Sequence, residues 1–192
     1  MKIKIKFKNK DWIYDLQEAA MNTIGKKFED GKKMTPTLFQ KYLISEHSPI
    51  RAVNLRIILY NISAYTSVHF ARHVHSIPFV TSNRPDRKNQ KRSVNDTVDH
   101  IFDINCQGLI DMMRKRLCKG QCAPDTYQTA LQIKKTLMSS NDPYLQVLGK
   151  VLVPNGVYRR FCPEFKSCNY CTSKITEFSA YQNYNNFILR EE

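Results

Sequence analysis

The sequence predicts an α+β fold, in which a small antiparallel or mixed sheet packs against helices. Residues 2–8, KIKIKFK, alternate polar and apolar with period two, the pattern of a strand with one buried face. Residues 50–62, IRAVNLRIILYNI, are rich in branched side chains and read as a second strand. The C-terminal half instead carries its apolar residues at helical spacing. With 192 residues, 42% of them hydrophobic and 11% aromatic, the chain is long enough and apolar enough for one domain with a genuine core.

Taken in order, the lysines on the outward face of the first strand discourage edge-to-edge pairing. Asp11 is placed to cap a helix over about 12–27, with Ile13, Leu16, Ala20 and Ile24 on one stripe. Thr35 and Pro36 fit the N-cap and first position of a short helix over 36–46. After the strand at 50–62, residues 64–75 read as a helix. Residues 76–96, with Pro78 and Pro85, read as a basic loop. Residues 98–118 read as one long helix carrying Ile101, Ile104, Leu109, Met112, Met113 and Leu117. Pro124 opens another helix that runs to Leu137, and Asp142-Pro143 opens a third. Residues 154–172 are irregular, and the tail YQNYNNFILREE suits a last strand, an oligomer contact or a disordered end.

The formal net charge of +13 favours phosphate-bearing partners: nucleic acid, mononucleotides, cofactors or an anionic membrane. No apolar run is long enough to span a membrane, and the N-terminal MKIKIKFKNKDW lacks the apolar run of a signal peptide. The expected compartment is therefore the cytoplasm, where the six cysteines are free or metal-bound rather than bridged.

Two constellations carry candidate chemistry. In FARHVHSIPFVTSNRPDR, residues 70–87, Ser82 and Arg84 are two apart and point the same way in an extended segment. A hydroxyl beside a guanidinium makes a phosphate clamp. The bland alternative pairs Arg72 with a structural carboxylate and leaves Ser82 and Arg84 solvated. The second constellation is Cys162, Cys168 and Cys171, which with Cys118 or Cys122 would complete four thiolates for Zn. Free thiols, an iron–sulfur centre or a redox pair are the alternatives. His69 and His73, four apart, would share a helix face, one orienting a ligand and one packed. His75 and His100 read as ordinary helix or loop residues, and Trp12 and the tyrosines as core and interface.

SEHSPIRAVNLRIILYNISAYTSVHFARHVHSIPFVTSNR resembles the flavin-dependent thymidylate synthases, the ThyX family. Their core reads approximately H-x-S-P-F-E-H, a strand, then Q-x-x-R-H-R-x-x-S-x-x-x-S-x-R-Y. NCQGLIDMMRKRL resembles the family's N-x-R-x-L-x-x-F-x-x-L-R, and APDTYQTALQIKKTL resembles the helix that follows. The resemblance covers about 42–137, and more loosely the whole chain. It is nearest to a short, phage-type branch that shares R-K-R-L-C and V-Y-R-x-x-C-P-E. Val74 and Val80 stand where the family keeps an Arg and an acid, Arg51 and Ala52 where it keeps Glu-His, and His69 where it keeps Gln. The segment between Arg84 and Asn105 is shorter than in the family, and Arg87, Lys88, Lys91 and Arg92 are the cations available there.

The resemblance implies a ThyX-like catalytic domain over 1–153, followed by a Cys-containing segment over 154–192 for metal binding or oligomer contact. It implies reductive methylation of dUMP to dTMP with FAD, NADPH and methylenetetrahydrofolate, in a homotetramer with sites between subunits. The setting would be a cytoplasm, including that of a phage-infected host cell. Arg72, His73, His69 and Asn105 fall on flavin-contacting positions. Ser82 and Arg84 fall on the nucleotide-phosphate positions, and Arg116 on the Arg at the base. Arg116 and Arg72 would be catalytic, stabilising negative charge as hydride moves. The alternatives are a basic nucleic-acid-binding protein, a non-catalytic nucleotide-binding protein on the same fold, or a related pyrimidine-nucleotide-modifying enzyme.

Overall fold

The computed structural model describes residues 1–28, 34–88, 93 and 96–167. Four strands, β1 (Lys2–Phe7), β2 (Asn54–Ser63), β3 (Ser76–Val80) and β4 (Thr97–Asn105), form one sheet in the order β1-β2-β4-β3. Every neighbouring pair is antiparallel. The helices are α1 (Trp12–Thr23), α2 (Pro36–Ile44), α3 (Ala64–Ala71), α4 (Pro85–Lys88), α5 (Cys106–Arg116), α6 (Pro124–Met138), α7 (Pro143–Val151) and α8 (Asn155–Arg159). One face of the sheet, with Leu55, Ile57, Leu59, Phe102 and Ile104 buried, shares a single core with the helices. Trp12 seals one end of that core by stacking on Phe7, with ring centroids 4.1 Å apart. Among the described residues, no helix is long and apolar enough to cross a membrane.

The alternation at 2–8 does form a strand: Ile3, Ile5 and Phe7 turn towards the core and Lys2, Lys4 and Lys6 towards solvent. Thr35 caps α2 by accepting the Leu38 amide at 3.2 Å, and Asp142 caps α7 by accepting the Tyr144 amide at 2.8 Å. Asp11 occupies the N-cap position of α1 without a side-chain cap bond. Asn9 fixes that turn instead, accepting the Asp11 amide at 3.1 Å and donating to Asp15 at 2.5 Å. The helix stops at Thr23 rather than near 27 because Gly25 takes a left-handed φ of 67°. Its amide and that of Lys26 return to the carbonyls of Asn22 and Met21.

The long helix expected over 98–118 is instead a strand followed by a helix. Val98, His100, Phe102 and Ile104 are buried in period two, and Asn105 ends the strand by capping α5. Apolar residues on both sides of that junction imitate one helical stripe. The loop expected over 76–96 contains an edge strand, β3, and the short α4. Pro78 is tolerated there because an edge strand has one unpaired side. The strand expected over 50–62 begins at Asn54, after a 3-10 turn at Ser48–Ala52. A bulge interrupts its pairing with β4, where Asn61 adopts φ 53° and donates its amide to Asp99 at 3.0 Å. The helix expected over 64–75 ends at Ala71. Within the irregular 154–172, residues 155–159 are helical, and Tyr158 packs under the Arg114 guanidinium 3.6 Å from its ring centroid. Lys91, Arg92, Cys168, Cys171 and the tail lie outside the described residues.

Candidate functional site

Helix α5 ends in Arg114, Lys115 and Arg116, cations that complement the negative end of the helix dipole. Each has a separate destination. Arg114 bonds Glu46 and Asp111. Lys115 pairs with Glu164 at 2.9 Å. Arg116 turns towards the end of α3, where its Nε donates to Nε2 of His73 at 3.0 Å and its Nη2 donates to the His69 carbonyl at 2.7 Å. His69 is held in turn by Thr126, buried in the first turn of α6, with Nδ1 and Oγ1 at 2.8 Å. The ends of α3 and α5 and the start of α6 therefore meet at one corner.

This meeting depends on close packing. A Cβ at Gly108 would lie 2.7 Å from the Cβ of His75, so the first turn of α5 sits directly on the turn that carries His73. Ser76 reinforces that turn by donating its hydroxyl to the His73 carbonyl at 2.9 Å.

The electrostatics of the corner are one-sided. His73 is pushed down to about 4, by burial first and then by the Arg116 guanidinium and His75. Burial also lowers His69, helped by Arg116 and then Arg72. Arg72 is the exposed C-cap of α3. Among the described ion pairs neither Arg72 nor Arg116 meets a carboxylate. Two guanidiniums and two imidazoles that resist protonation form a corner suited to an anionic or carbonyl-rich ligand.

The expected site residues divide into groups. Arg72, His73, His69 and Arg116 come together. His69 and His73 do not share a helix face, because His73 lies beyond the C-cap Arg72. Asn105 is the N-cap of α5, not a residue within it; its Oδ1 accepts the Gly108 amide at 2.8 Å. Ser82 and Arg84 make other contacts: the Ser82 hydroxyl accepts the Arg84 amide at 3.4 Å, and Arg84 pairs with Asp86 at 3.0 and 2.9 Å. Ser82 lines a cleft of about 480 Å³ against Ala64, Ser67, Val68 and Ala71 of α3. Val74 is 92% exposed at the turn, and Val80 ends β3 beside the same cleft.

Cys118 and Cys162 line one largely apolar cavity of about 310 Å³, together with Leu117, Tyr127, Leu152 and Val157. Cys122 lies near Arg116, and burial raises its thiol despite that cation. Among the described residues, no group of three or more His, Cys, Asp or Glu side chains could hold a metal ion.

Some of these contacts were not anticipated from sequence. Thr126 orients His69 across 57 positions, which no local pattern signals. His100 is not an ordinary helix or loop residue but a fully buried strand residue. Its Nδ1 meets the Ser67 hydroxyl at 2.9 Å, and burial drives it down to about 4. Its alternation with Val98 and Phe102 was the available sign. Glu46, Arg114 and Tyr158 form a further network in which burial raises the Glu46 carboxyl, but bonds from Arg114, Gln107 and Tyr158 outweigh it.

No family model matches the chain, and no curated protein matches it by sequence. Solved structures do match. Thymidylate Synthase X (ThyX) from Helicobacter pylori, crystallised with FAD and dUMP, superposes with a TM-score of 0.60 at 10% identity, over 79% of this chain and 99% of that one. A second structure of flavin-dependent ThyX from that organism, complexed with FAD and dUMP, gives 0.57 at 10% identity over 80% and 100% of the two chains. The UMP/dUMP methylase PolB from Streptomyces cacaoi, bound to 5-Br dUMP, gives 0.54 at 11% identity over 78% and 95%. At these identities the likeness shows the fold, which is ThyX-like.

Proposed function

We propose that this chain is a flavin-dependent, thymidylate-synthase-like enzyme of a short, phage-type branch that methylates dUMP to dTMP. The observation that carries this reading is the Arg116–His73 hydrogen bond. The family resemblance implies a flavin at His73 and a pyrimidine base at Arg116, and the fold joins these two residues across 43 positions. FAD and dUMP in the structural neighbours of the same fold support it.

The corner fits a flavin by the chemistry of its donors: cations that meet no carboxylate among the described ion pairs, beside imidazoles held neutral. When bound, FAD would supply the hydride that completes the methyl group, with the carbon drawn from methylenetetrahydrofolate and the reducing equivalents from NADPH. Arg116 uses two of its donors on His73 and His69, which fixes the plane of the guanidinium before a ligand arrives. A guanidinium fixed in this way stabilises charge that develops on a pyrimidine carbonyl without reorganising. Arg72, the exposed C-cap of α3, would add a second cation for holding the flavin at this corner. His73 remains a neutral acceptor at pH 7 and holds Arg116 rather than repelling it.

Ser82 and Arg84 are assigned to the nucleotide phosphate. Asp86 now occupies Arg84, but an exposed pair of this kind is worth only ~0–1 kcal/mol, so a phosphate can displace it. Within one chain these two residues do not contact Arg116. A homotetramer with sites between subunits would bring one copy's phosphate clamp to another copy's Arg116.

The test is a flavin titration. Purified protein should retain FAD through gel filtration, dUMP should shift the visible flavin spectrum, and Arg116→Ala should abolish that shift. Protein that stays colourless at every FAD concentration contradicts the reading. The neighbour that acts on both UMP and dUMP makes UMP the natural competitor, and the same spectral shift compares the two.

A further inference from the structure

The second face of the sheet plays no part in this site. Its residues are Lys2, Lys4 and Lys6 of β1, Arg56, Ile58 and Tyr60 of β2, Asp99, Ile101 and Asp103 of β4, and Ile77 and Phe79 of β3. These side chains follow from the period-two alternation, since the opposite set lies in the core. The register lines them up in rows. Lys4, Ile58, Ile101 and Phe79 stand side by side across the four strands, and Lys6, Arg56, Asp103 and Ile77 form the next row.

The face combines two properties that rarely occur together by accident of solubility. It exposes apolar and aromatic groups, with Ile77 60% and Phe79 51% accessible and Tyr60 half-exposed. It is also basic. Among the described residues of this face, Lys2, Lys4, Lys6, Lys8 and Arg56 face only the carboxylates of Asp99 and Asp103, and Asp103 is already neutralised by Lys8 and Arg56, each at 2.7 Å. The Arg56 bond, with Lys8 behind it, holds the Asp103 carboxyl down to about 2, so it stays ionised and paired. The ammoniums of Lys2 and Lys4 lie 5.8 and 5.9 Å from the Tyr60 ring centroid, and the Arg56 guanidinium lies 5.9 Å from that of Phe79. Each ring thus has a cation over it at the outer limit of cation–π contact, a loose association that a stacking base can replace.

We propose that this outer sheet face binds single-stranded nucleic acid. Bases stack on Tyr60 and Phe79, and phosphates lie along the lysines of β1. Flat ring platforms flanked by cations suit a flexible strand whose bases are free to splay, whereas a duplex offers its bases only inside grooves. Tyr60 and Phe79 lie on strands separated by β4 and are offset by two residues along them, roughly 12 Å apart by the usual strand spacing and rise, which an extended strand spans in about two nucleotides. The chain's +13 charge draws the same partner from a distance. A second copy of this face fits poorly, because it would set lysines against lysines. This inference is independent of the flavin site.

The experiment is fluorescence anisotropy with fluorescein-labelled dT15 and U15 at about 50 mM salt. The full chain should bind at least one of them. Lys2→Glu/Lys4→Glu/Lys6→Glu should lose binding and flatten the log–log salt slope by about 2. A control of equal charge change on exposed helix positions, Lys41→Glu/Lys135→Glu/Lys150→Glu, should weaken binding far less. Phe79→Ala should weaken it about tenfold, while Phe79→Trp should retain it with tryptophan fluorescence quenched on binding. The proposal is overturned if neither oligonucleotide binds, if both triple variants lose binding equally, or if Phe79→Trp binds unquenched. It is also overturned if the face captures anionic vesicles or drives self-association instead.

Discussion

Arg116 donates from Nε to Nε2 of His73 at 3.0 Å, tying the last turn of α5 to the turn that follows α3. A second bond, from Nη2 to the His69 carbonyl at 2.7 Å, sets the guanidinium plane. Arg116→Lys keeps the charge but loses the fork. If Arg116 stabilises charge at the pyrimidine, the substitution should lower kcat for dTMP formation by roughly 10²- to 10³-fold, while the lost hydrogen bond costs only about 1 kcal/mol of folding stability. Steady-state kinetics alongside a urea melt separate the two effects.

The buried imidazoles predict an acid-side loss of stability. His73 and His100 are both held down to about 4 against an ordinary value of 6.5. Between those values the unfolded chain takes up protons that the folded chain refuses. Their contribution is whole above pH 6.5, erodes as the pH falls, and is gone below about 4. Urea midpoints at pH 7, 5.5 and 4.5 should decline in that order. The decline should flatten in His73→Gln/His100→Gln.

Asn105 is predicted to act through the helix rather than through a ligand. Asn105→Ala removes the acceptor for the Gly108 amide and should cost about 1 kcal/mol. Asn105→Asp retains that acceptor and should restore stability. Flavin affinity should follow the wild type in the Asp variant, which isothermal titration reads directly.

Gly108→Ala should destabilise, although alanine is the better helix former by about 1 kcal/mol. The added carbon would meet the Cβ of His75 at 2.7 Å and Ile104 Cγ1 at 3.1 Å. Overpacking of this kind costs ~1–3 kcal/mol. It should also weaken dUMP binding, because the displaced turn carries His73. An alanine variant as stable as the wild type would show that this turn yields freely.

Much of the fold was legible because local chemistry and burial agree. KIKIKFK, Thr35-Pro36 and Asp142-Pro143 each specify their element within a few residues. The junction at Asn105 was not legible, since Ile101 and Ile104 on the strand continue the helical spacing of Leu109 and Met112. Asn105 itself, with Gly108 three residues on, was the available cap signal. The edge strand β3 was hidden by Pro78 and by apolar residues that remain exposed, so neither alternation nor burial marked it. For the site, the resemblance carried by the Arg-His and Ser-x-Arg motifs named the residues, but only the fold joins His73 to Arg116. The partners Thr126 and Ser67 arise from tertiary contacts with no local pattern. The separation of Ser82 and Arg84 from that corner is likewise a property of the folded chain.

The central claim is that this corner carries flavin-dependent methylation of dUMP. The most direct measurement is tritium release from [5-³H]dUMP with FAD, NADPH and methylenetetrahydrofolate, run in parallel on wild type and Arg116→Ala. The account predicts release that requires all three additions, accompanied by dTMP, and its loss in the variant. Wild-type protein that binds FAD and dUMP yet releases no tritium would contradict it.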